Sequence, residues 1–124
     1  MTRQPLPPAP APLPAPTTDA HTHLASTWRY SGLTVADNLA AARAVGVTRV
    51  VDVGTDLASS TEAIALAEQH PEVVACIAIH PNDAARLGDA LDSELAALAA
   101  LAGTSPRIRG IGETGLDYFR TREP

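Results

Sequence analysis

Histidines and a carboxylate stand in this chain in a pattern that suits a divalent metal ion. His21 and His23 are separated by one residue, and Glu113 lies far downstream within GIGETGLD. Residues two apart on a strand face the same side, so both imidazoles can point to one spot. Neutral imidazole is the commonest protein ligand for zinc and similar ions, and a carboxylate could complete one site or bridge two ions. We interpret His21, His23 and Glu113 as candidate metal ligands; two histidines making ordinary hydrogen bonds in a polar loop are the alternative.

Other polar residues follow the apolar runs of the sequence. His80 comes after an apolar run and before Pro81, which fits either a capping histidine at the edge of the core or a catalytic contact with substrate. Asp19 shares the face of the two histidines, so it either orients an imidazole or caps a turn. For Asp117 we expect hydrogen bonds to the backbone in the turn formed by residues 115–117. Cys76 lies within an apolar run without a basic neighbour and is expected to be inert.

The elements that would position these residues alternate along the chain. Thr34 is a suitable N-cap, Gly46 supplies a helix end, and Pro71 stops a second helix. Valine-rich runs between the helices indicate buried strands. The residues before His21 take the place of a first strand. The predicted helices are 34–45, 60–70 and 90–102, and the predicted strands are 47–53, 73–79 and 108–112.

This alternation predicts the fold class. Strand-helix-strand repetition with short connections indicates a parallel sheet covered by helices. The unit repeats about every 31 residues, the size of one βαβ unit, and eight such units make a (β/α)8 barrel of roughly 250 residues. Four strands and three intervening helices therefore predict an α/β fold with half the elements of that barrel. The candidate residues stand at the carboxyl ends of the strands, where such folds bind ligands.

Composition excludes several classes of protein. Nine basic residues against fourteen acidic ones give a net charge of −5, which argues against a broad basic surface for nucleic acid. No apolar stretch approaches the roughly 18 residues that span a bilayer, so we expect no membrane association. One cysteine excludes a disulfide scaffold and suits a reducing compartment, so we expect a cytoplasmic location.

The first sixteen residues differ from the rest of the chain. Seven of the eleven prolines fall within them. Proline fixes φ and removes the backbone donor, so we expect residues 1–16 to be a disordered, extended segment without a core. The ordered domain is expected to comprise residues 17–124.

Four motifs carry a resemblance to a known family. DAHTHL, VDVGTD, AIHPNDA and GIGETGLDYFR stand in the order and spacing of the TatD family of metal-dependent hydrolases, which the chain resembles from about residue 17 to 122. The resemblance implies a (β/α)8 barrel and a deoxyribonuclease that uses one or two divalent ions such as Mg, Zn or Mn. It implies that DNA, as a single strand or a strand end, is the substrate. His21, His23 and Glu113 match the family's metal ligands, and His80 matches a histidine close to the site; Glu113 and His80 are the expected catalytic residues.

The chain departs from the family pattern in two ways. Ala25 stands where the family usually has an acidic residue. Two further histidines and an aspartate of the family belong to later strands, for which this chain has no counterpart, so we expect the N-terminal half of the barrel and an incomplete site. Its sheet would then keep open edges capable of self-association.

Two other functions are compatible with the same residues. Amidohydrolases acting on C–N bonds share the HxH start, but many bridge their metals with a modified lysine at the fourth strand. This chain has no lysine and has Glu113 at that position, which favours a phosphoesterase. The second alternative is an inactive half-barrel that binds a partner or another copy of itself.

Overall fold

A parallel sheet forms the centre of the described part of the protein. The computed structural model describes residues 6–120. The sheet has the order β1-β2-β3-β4, with each neighbouring pair parallel. This confirms the predicted α/β class, with four parallel strands and intervening helices as in part of a (β/α)8 barrel. The strands are β1 (Thr17–Thr22), β2 (Val47–Val53), β3 (Val73–Ile77) and β4 (Ile108–Ile111), and the helices are α1 (Leu24–Ser31), α2 (Val35–Ala44), α3 (Leu57–Gln69), α4 (Pro81–Leu87) and α5 (Leu91–Leu101).

The three predicted helices are present as α2, α3 and α5. α2 begins where the sequence indicated, because the hydroxyl of Thr34 accepts a hydrogen bond from the Asp37 N–H at 3.1 Å. Gly46 follows its end with a φ of 96°, a conformation that favours glycine. α3 begins three residues earlier than predicted, since Asp56 accepts from the Ser59 N–H at 2.7 Å in a capping box.

Two short helices were not predicted. α1 follows β1 and buries only Leu24, and α4 follows β3 and has no buried residue. Neither segment therefore has the long apolar stripe on which helix prediction depends. α4 nevertheless carries a local signal, because Pro81 occupies its first turn, where the missing N–H costs nothing.

The core lies between the sheet and the helices. Val73, Ala75 and Ile77 of β3 are completely buried, whereas Val74 and Cys76 between them are half-buried. Since alternate residues face opposite sides, one face of β3 is covered by helices and the other is open. The buried cluster is completed by side chains from α1, α2, α3, α5, β2 and the segment after β3: Leu24, Leu39, Val50, Ala63, Ile64, Ala67, Ile79 and Leu98.

β3 ends two residues before the predicted end at Ile79. The Ala78 N–H donates to the hydroxyl of Ser60 at 3.2 Å, and that hydroxyl lies 3.3 Å from the Ala78 carbonyl oxygen. The main chain of Ala78 is therefore bonded to α3 instead of to a neighbouring strand. This contact fixes the chain just before His80.

The outer strands are exposed. Every residue of β1 except Thr22 is exposed, and Ile111 of β4 keeps 66% of its surface accessible. Within residues 6–120, each of these strands has one neighbour in the sheet. Such edges have free backbone groups that can pair with another strand.

The proline-rich segment is described from residue 6 onward. Residues 6–16 are exposed and contain no helix or strand. The Leu13 N–H nonetheless donates to the Val45 carbonyl oxygen at 2.8 Å, which fastens this segment to the end of α2. The first five residues, to which the prediction of disorder also applies, lie outside the described residues. None of the described helices has the length and apolar character needed to cross a membrane.

Candidate metal centre

The carboxyl edge of the sheet brings together residues from three of its strands. His21 lies in β1 and His23 directly follows it, His80 follows β3, and Glu113 follows β4. A flat sheet of four strands would separate β1 from β4 by about 14 Å, given roughly 4.8 Å between neighbours. The side chains of Glu113 and both histidines nevertheless meet, although β2 and β3 lie between their strands.

Three of these side chains converge on one point. The Nε2 atoms of His21 and His23 each lie 3.4 Å from Oε1 of Glu113. One ligand atom from each residue lies within 4.8 Å of the others. The two rings meet edge to face, with centroids 5.1 Å apart. The structure thus brings together the three residues that the sequence marked as candidate ligands.

Two of the three spacings between these atoms fit a tetrahedral metal ion. With zinc–ligand bonds of about 2.0–2.1 Å, tetrahedral geometry places neighbouring ligand atoms about 3.3–3.4 Å apart. The two nitrogen-to-oxygen distances of 3.4 Å match that value. They also exceed the roughly 2.7–2.9 Å of a direct charged hydrogen bond. Two imidazoles and one carboxylate would leave an open position on the ion, as in catalytic zinc sites.

The main chain of β2 orients one of the imidazoles. Nδ1 of His23 lies 2.8 Å from the carbonyl oxygen of Val53, and a carbonyl can only accept, so Nδ1 carries the proton. Nε2 then has a free lone pair on the side of Glu113. This is the usual outer contact of a metal-binding histidine. The sequence alone did not reveal the role of Val53, because the contact joins residues of different strands.

His80 has a different tautomer. Its Nδ1 accepts the Asn82 N–H at 3.1 Å, which makes His80 the N-cap of α4. In the neutral ring the proton is therefore on Nε2, which lies 3.8 Å from Oε2 of Glu113. His80 both caps a helix and faces the cluster, so the two interpretations of this residue are compatible. Its Nε2 is suited to donate a hydrogen bond and not to bind a cation.

The carboxylates of Asp19 and Asp117 accept hydrogen bonds from backbone N–H groups two or three residues further along the chain. Oδ1 of Asp19 accepts the backbone N–H of His21 at 3.1 Å, which matches the capping alternative. Oδ1 of Asp117 accepts from the backbone of Arg120 and Phe119, each at 2.9 Å; its partners are backbone groups, as predicted, but they lie in the turn that follows Asp117 and not in residues 115–117. These hydrogen bonds stabilise the ionised carboxylate and so lower the pKa of Asp117, and the bond from the Arg120 N–H has the largest effect.

Asp52 is the polar residue of this edge whose role sequence reasoning missed. It is 3% exposed, and its Oδ1 accepts the Leu24 N–H at 2.9 Å. Burial raises the pKa of this carboxyl, while the Leu24 bond and the nearby His23 act in the opposite direction. Beside Asp52 and His23 lies a cavity of about 200 Å³, and on its wall the guanidinium of Arg29 donates to the carboxylate of Glu62 at 2.7 Å.

Comparison with known proteins identifies the family. The model of the TatD-related DNase family matches residues 18–124. The chain belongs to this family. This TatD-related chain is 41% identical, over 101 residues, to an uncharacterized metal-dependent hydrolase TatD of Mycobacterium tuberculosis; the match covers 82% of the chain and 37% of that relative.

Two further relatives are described as 3'-5' ssDNA/RNA exonucleases TatD. The Salmonella typhimurium protein is 33% identical over 84 residues, which are 68% of this chain and 31% of that relative. The Cronobacter sakazakii protein is 38% identical over 82 residues, which are 66% of this chain and 30% of that relative. The TatD-related chain thus spans about a third of the length of these curated relatives.

Proposed function

We propose that this protein is a metal-dependent hydrolase of phosphodiester bonds that acts on DNA. The observation that carries the proposal is the convergence of His21, His23 and Glu113 at ligand spacing. Membership of the TatD-related DNase family and the names of the similar proteins support it. We assign His21, His23 and Glu113 as metal ligands, and Glu113 and His80 as the catalytic residues.

The proposed roles follow from the atoms that face the centre. Nε2 of His21, Nε2 of His23 and Oε1 of Glu113 would hold a divalent cation. Such an ion supplies a bound water of lowered pKa, toward ~7, and offsets charge on phosphoryl oxygens. Oε2 of Glu113, on the side of His80, is available to accept a proton.

His80 complements the carboxylate with a donor. With its Nδ1 occupied by the Asn82 N–H, its Nε2–H can donate a hydrogen bond to a phosphoryl oxygen or to the leaving oxygen. The cap on α4 holds the ring in this orientation. Glu113 would therefore accept protons and His80 would donate them within the same narrow site.

We propose a single strand or a strand end of DNA as the substrate. The net charge of −5 does not supply a broad basic surface for a duplex. Arg29, on the wall of the cavity beside His23, is paired with Glu62. Positive charge for the phosphate would therefore come from the bound ion, which favours local recognition of one phosphodiester.

We also propose that the protein self-associates through its open edges. β1 and β4 each have one neighbour within the described part of the sheet, and β1 is exposed along most of its length. Sedimentation analysis is expected to show a dimer or larger species at micromolar concentration; a monomer at all concentrations would contradict this. For the location of the protein, the single cysteine supports a reducing, cytoplasmic compartment.

Metal binding and DNA digestion test the main proposal. Calorimetry with Zn²⁺ or Mn²⁺ is expected to show binding that is lost in the His21→Ala, His23→Ala double variant. His70→Ala is the matched control, because His70 follows α3 and precedes β3, at the edge of the sheet where the strand begins. Digestion of a labelled single-stranded oligonucleotide should stop when a chelator is added.

The outcomes separate the alternatives. Binding that persists in the double variant would overturn the metal site. Metal binding without cleavage of DNA would contradict the nuclease and favour the inactive half-barrel. Cleavage of an amide substrate instead of DNA would favour an amidohydrolase.

A further inference from the structure

Asp52 is a buried carboxylate that the proposed chemistry does not use. It lies in β2 between apolar residues, and its partner across the sheet is the fully buried Ala75 of β3. Only 3% of its surface is accessible. A buried carboxylate is unfavourable unless its oxygens are bonded, so its contacts indicate what it does at this position.

The carboxylate bonds to the first residue of the helix that follows His23. Oδ1 of Asp52 accepts the N–H of Leu24 at 2.9 Å. His23 occupies the N-cap of α1, and its own side chain makes no capping hydrogen bond. Asp52 thus supplies, from a neighbouring strand, an acceptor for the first free N–H of α1, which an N-cap side chain would not reach because it bonds to the second or third N–H of the helix. It fixes the main chain directly after His23.

The next residue of β2 fixes the ring. The carbonyl oxygen of Val53 accepts from Nδ1 of His23 at 2.8 Å. Two consecutive residues of one strand therefore hold His23, one through its main chain and one through its imidazole. Because both contacts come from the same short stretch, they determine together where Nε2 of His23 points.

We infer that Asp52 is a positioning residue, which fixes His23 in the orientation that the metal centre requires. The inference rests on the proposed function, since it assigns His23 to that centre. Removing a contact of this kind around a metal-binding histidine typically lowers metal affinity 10–100-fold. A purely structural cap would change the stability of the protein and leave the affinity of a folded site unchanged.

The chain offers a matched control for this distinction. Asp56 caps α3 by accepting the Ser59 N–H at 2.7 Å, and it is not bonded to either histidine of the cluster. Replacing it removes a helix cap that has no hydrogen bond to His23 or to the main chain that follows it. Asp56→Ala therefore removes a hydrogen bond at the start of α3, whereas Asp52→Ala removes one at the start of α1, next to His23.

The experiment measures affinity for Zn²⁺ by calorimetry, with thermal unfolding in parallel, on the whole chain. Asp52→Ala and Asp52→Val are each expected to weaken binding at least tenfold, and Asp56→Ala less than twofold. The valine variant preserves strand propensity and bulk if the alanine variant does not fold. Asp52→Asn keeps an acceptor oxygen and is expected to bind within threefold of the parent.

Several results would overturn the inference. These are unchanged affinity in Asp52→Ala or Asp52→Val, an equal loss in Asp56→Ala, or a tenfold loss in Asp52→Asn. In the parent protein, rapid hydrogen exchange at the Leu24 amide would also contradict it, whether or not the variants fold. Unchanged affinity in His23→Ala would instead refute the proposed metal site itself, so the two failures are distinguishable.

Discussion

Gly54 lies directly against Ser60 at the start of α3. A Cβ built on Gly54 would come within 2.3 Å of Ser60 Oγ and 2.6 Å of Ser60 Cα. The same hydroxyl bonds to the main chain of Ala78. The close approach of Gly54 thus joins the ends of β2 and β3 through the first turn of α3, and this junction supports the edge that carries the candidate metal centre.

Gly54→Ala is expected to destabilise the protein strongly. The added methyl group would meet main-chain atoms of α3 that cannot move independently, and overpacking of this kind costs about 1–3 kcal/mol. Urea unfolding measures the loss. Gly103→Ala is the control, because no described atom lies within 4 Å of a Cβ at that position, and its effect should stay within about 0.5 kcal/mol. Equal stabilities of the two variants would contradict the packing described.

Replacement of His80 is expected to separate helix capping from catalysis. His80→Asn preserves a good N-cap residue, whereas His80→Ala removes the cap and costs about 1 kcal/mol of stability. Both variants lose the Nε2–H donor, so both are expected to lower the rate of DNA digestion roughly 10²–10⁴-fold. Zn²⁺ affinity should change less than threefold in either. Full activity of His80→Asn would contradict the donor role.

Cys76 is expected to react slowly with thiol reagents. Burial raises the pKa of its thiol, so the reactive thiolate is scarcer than in an unfolded chain at the same pH. The reaction with a chromogenic disulfide at pH 8 should be at least tenfold slower in the folded protein than in urea. Equal rates would show that the open face of β3 gives free access to this residue.

Asp117 is expected to titrate below its ordinary value of about 3.8. The folded turn lowers this pKa, chiefly through the Arg120 N–H. The ionised carboxylate therefore stabilises the turn at any pH above the ordinary pKa of the group. That contribution is lost as the pH falls through the lowered pKa. Carboxyl carbon NMR should give a lower midpoint than in the urea-unfolded chain, with the Arg120 amide signal following it. Identical midpoints in the two states would refute the contact.

The sequence carried most of the information about the sheet and about the residues of the candidate centre. Apolar runs rich in valine predicted β2 and β3, and the regular spacing of the units placed β4 at the weaker run 108–112. The same spacing predicted the edge on which His21, His23 and Glu113 would meet. Because these signals lie within short segments or recur at regular intervals, they can be detected in a single amino-acid sequence. The family's motifs added the expectation that these three residues bind metal.

The contacts that orient those residues were not predictable from the pattern. Asp52 bonds to Leu24 and Val53 bonds to His23 across strands, and neither contact has a signature in local sequence. α1 was missed because it is only eight residues long and buries only one residue. The early end of β3 depends on the hydroxyl of Ser60, whose partner Ala78 is distant in sequence.

The candidate centre joins the first and last strands of the sheet. β1 and β4 carry opposite parts of it, although two other strands lie between them. An ion held there would link the two margins of the sheet, so a change in the distance between β1 and β4 would disturb its coordination. Occupancy of the site by a metal ion would then depend on the rigidity of the sheet, and a bound ion would in turn make the sheet more rigid.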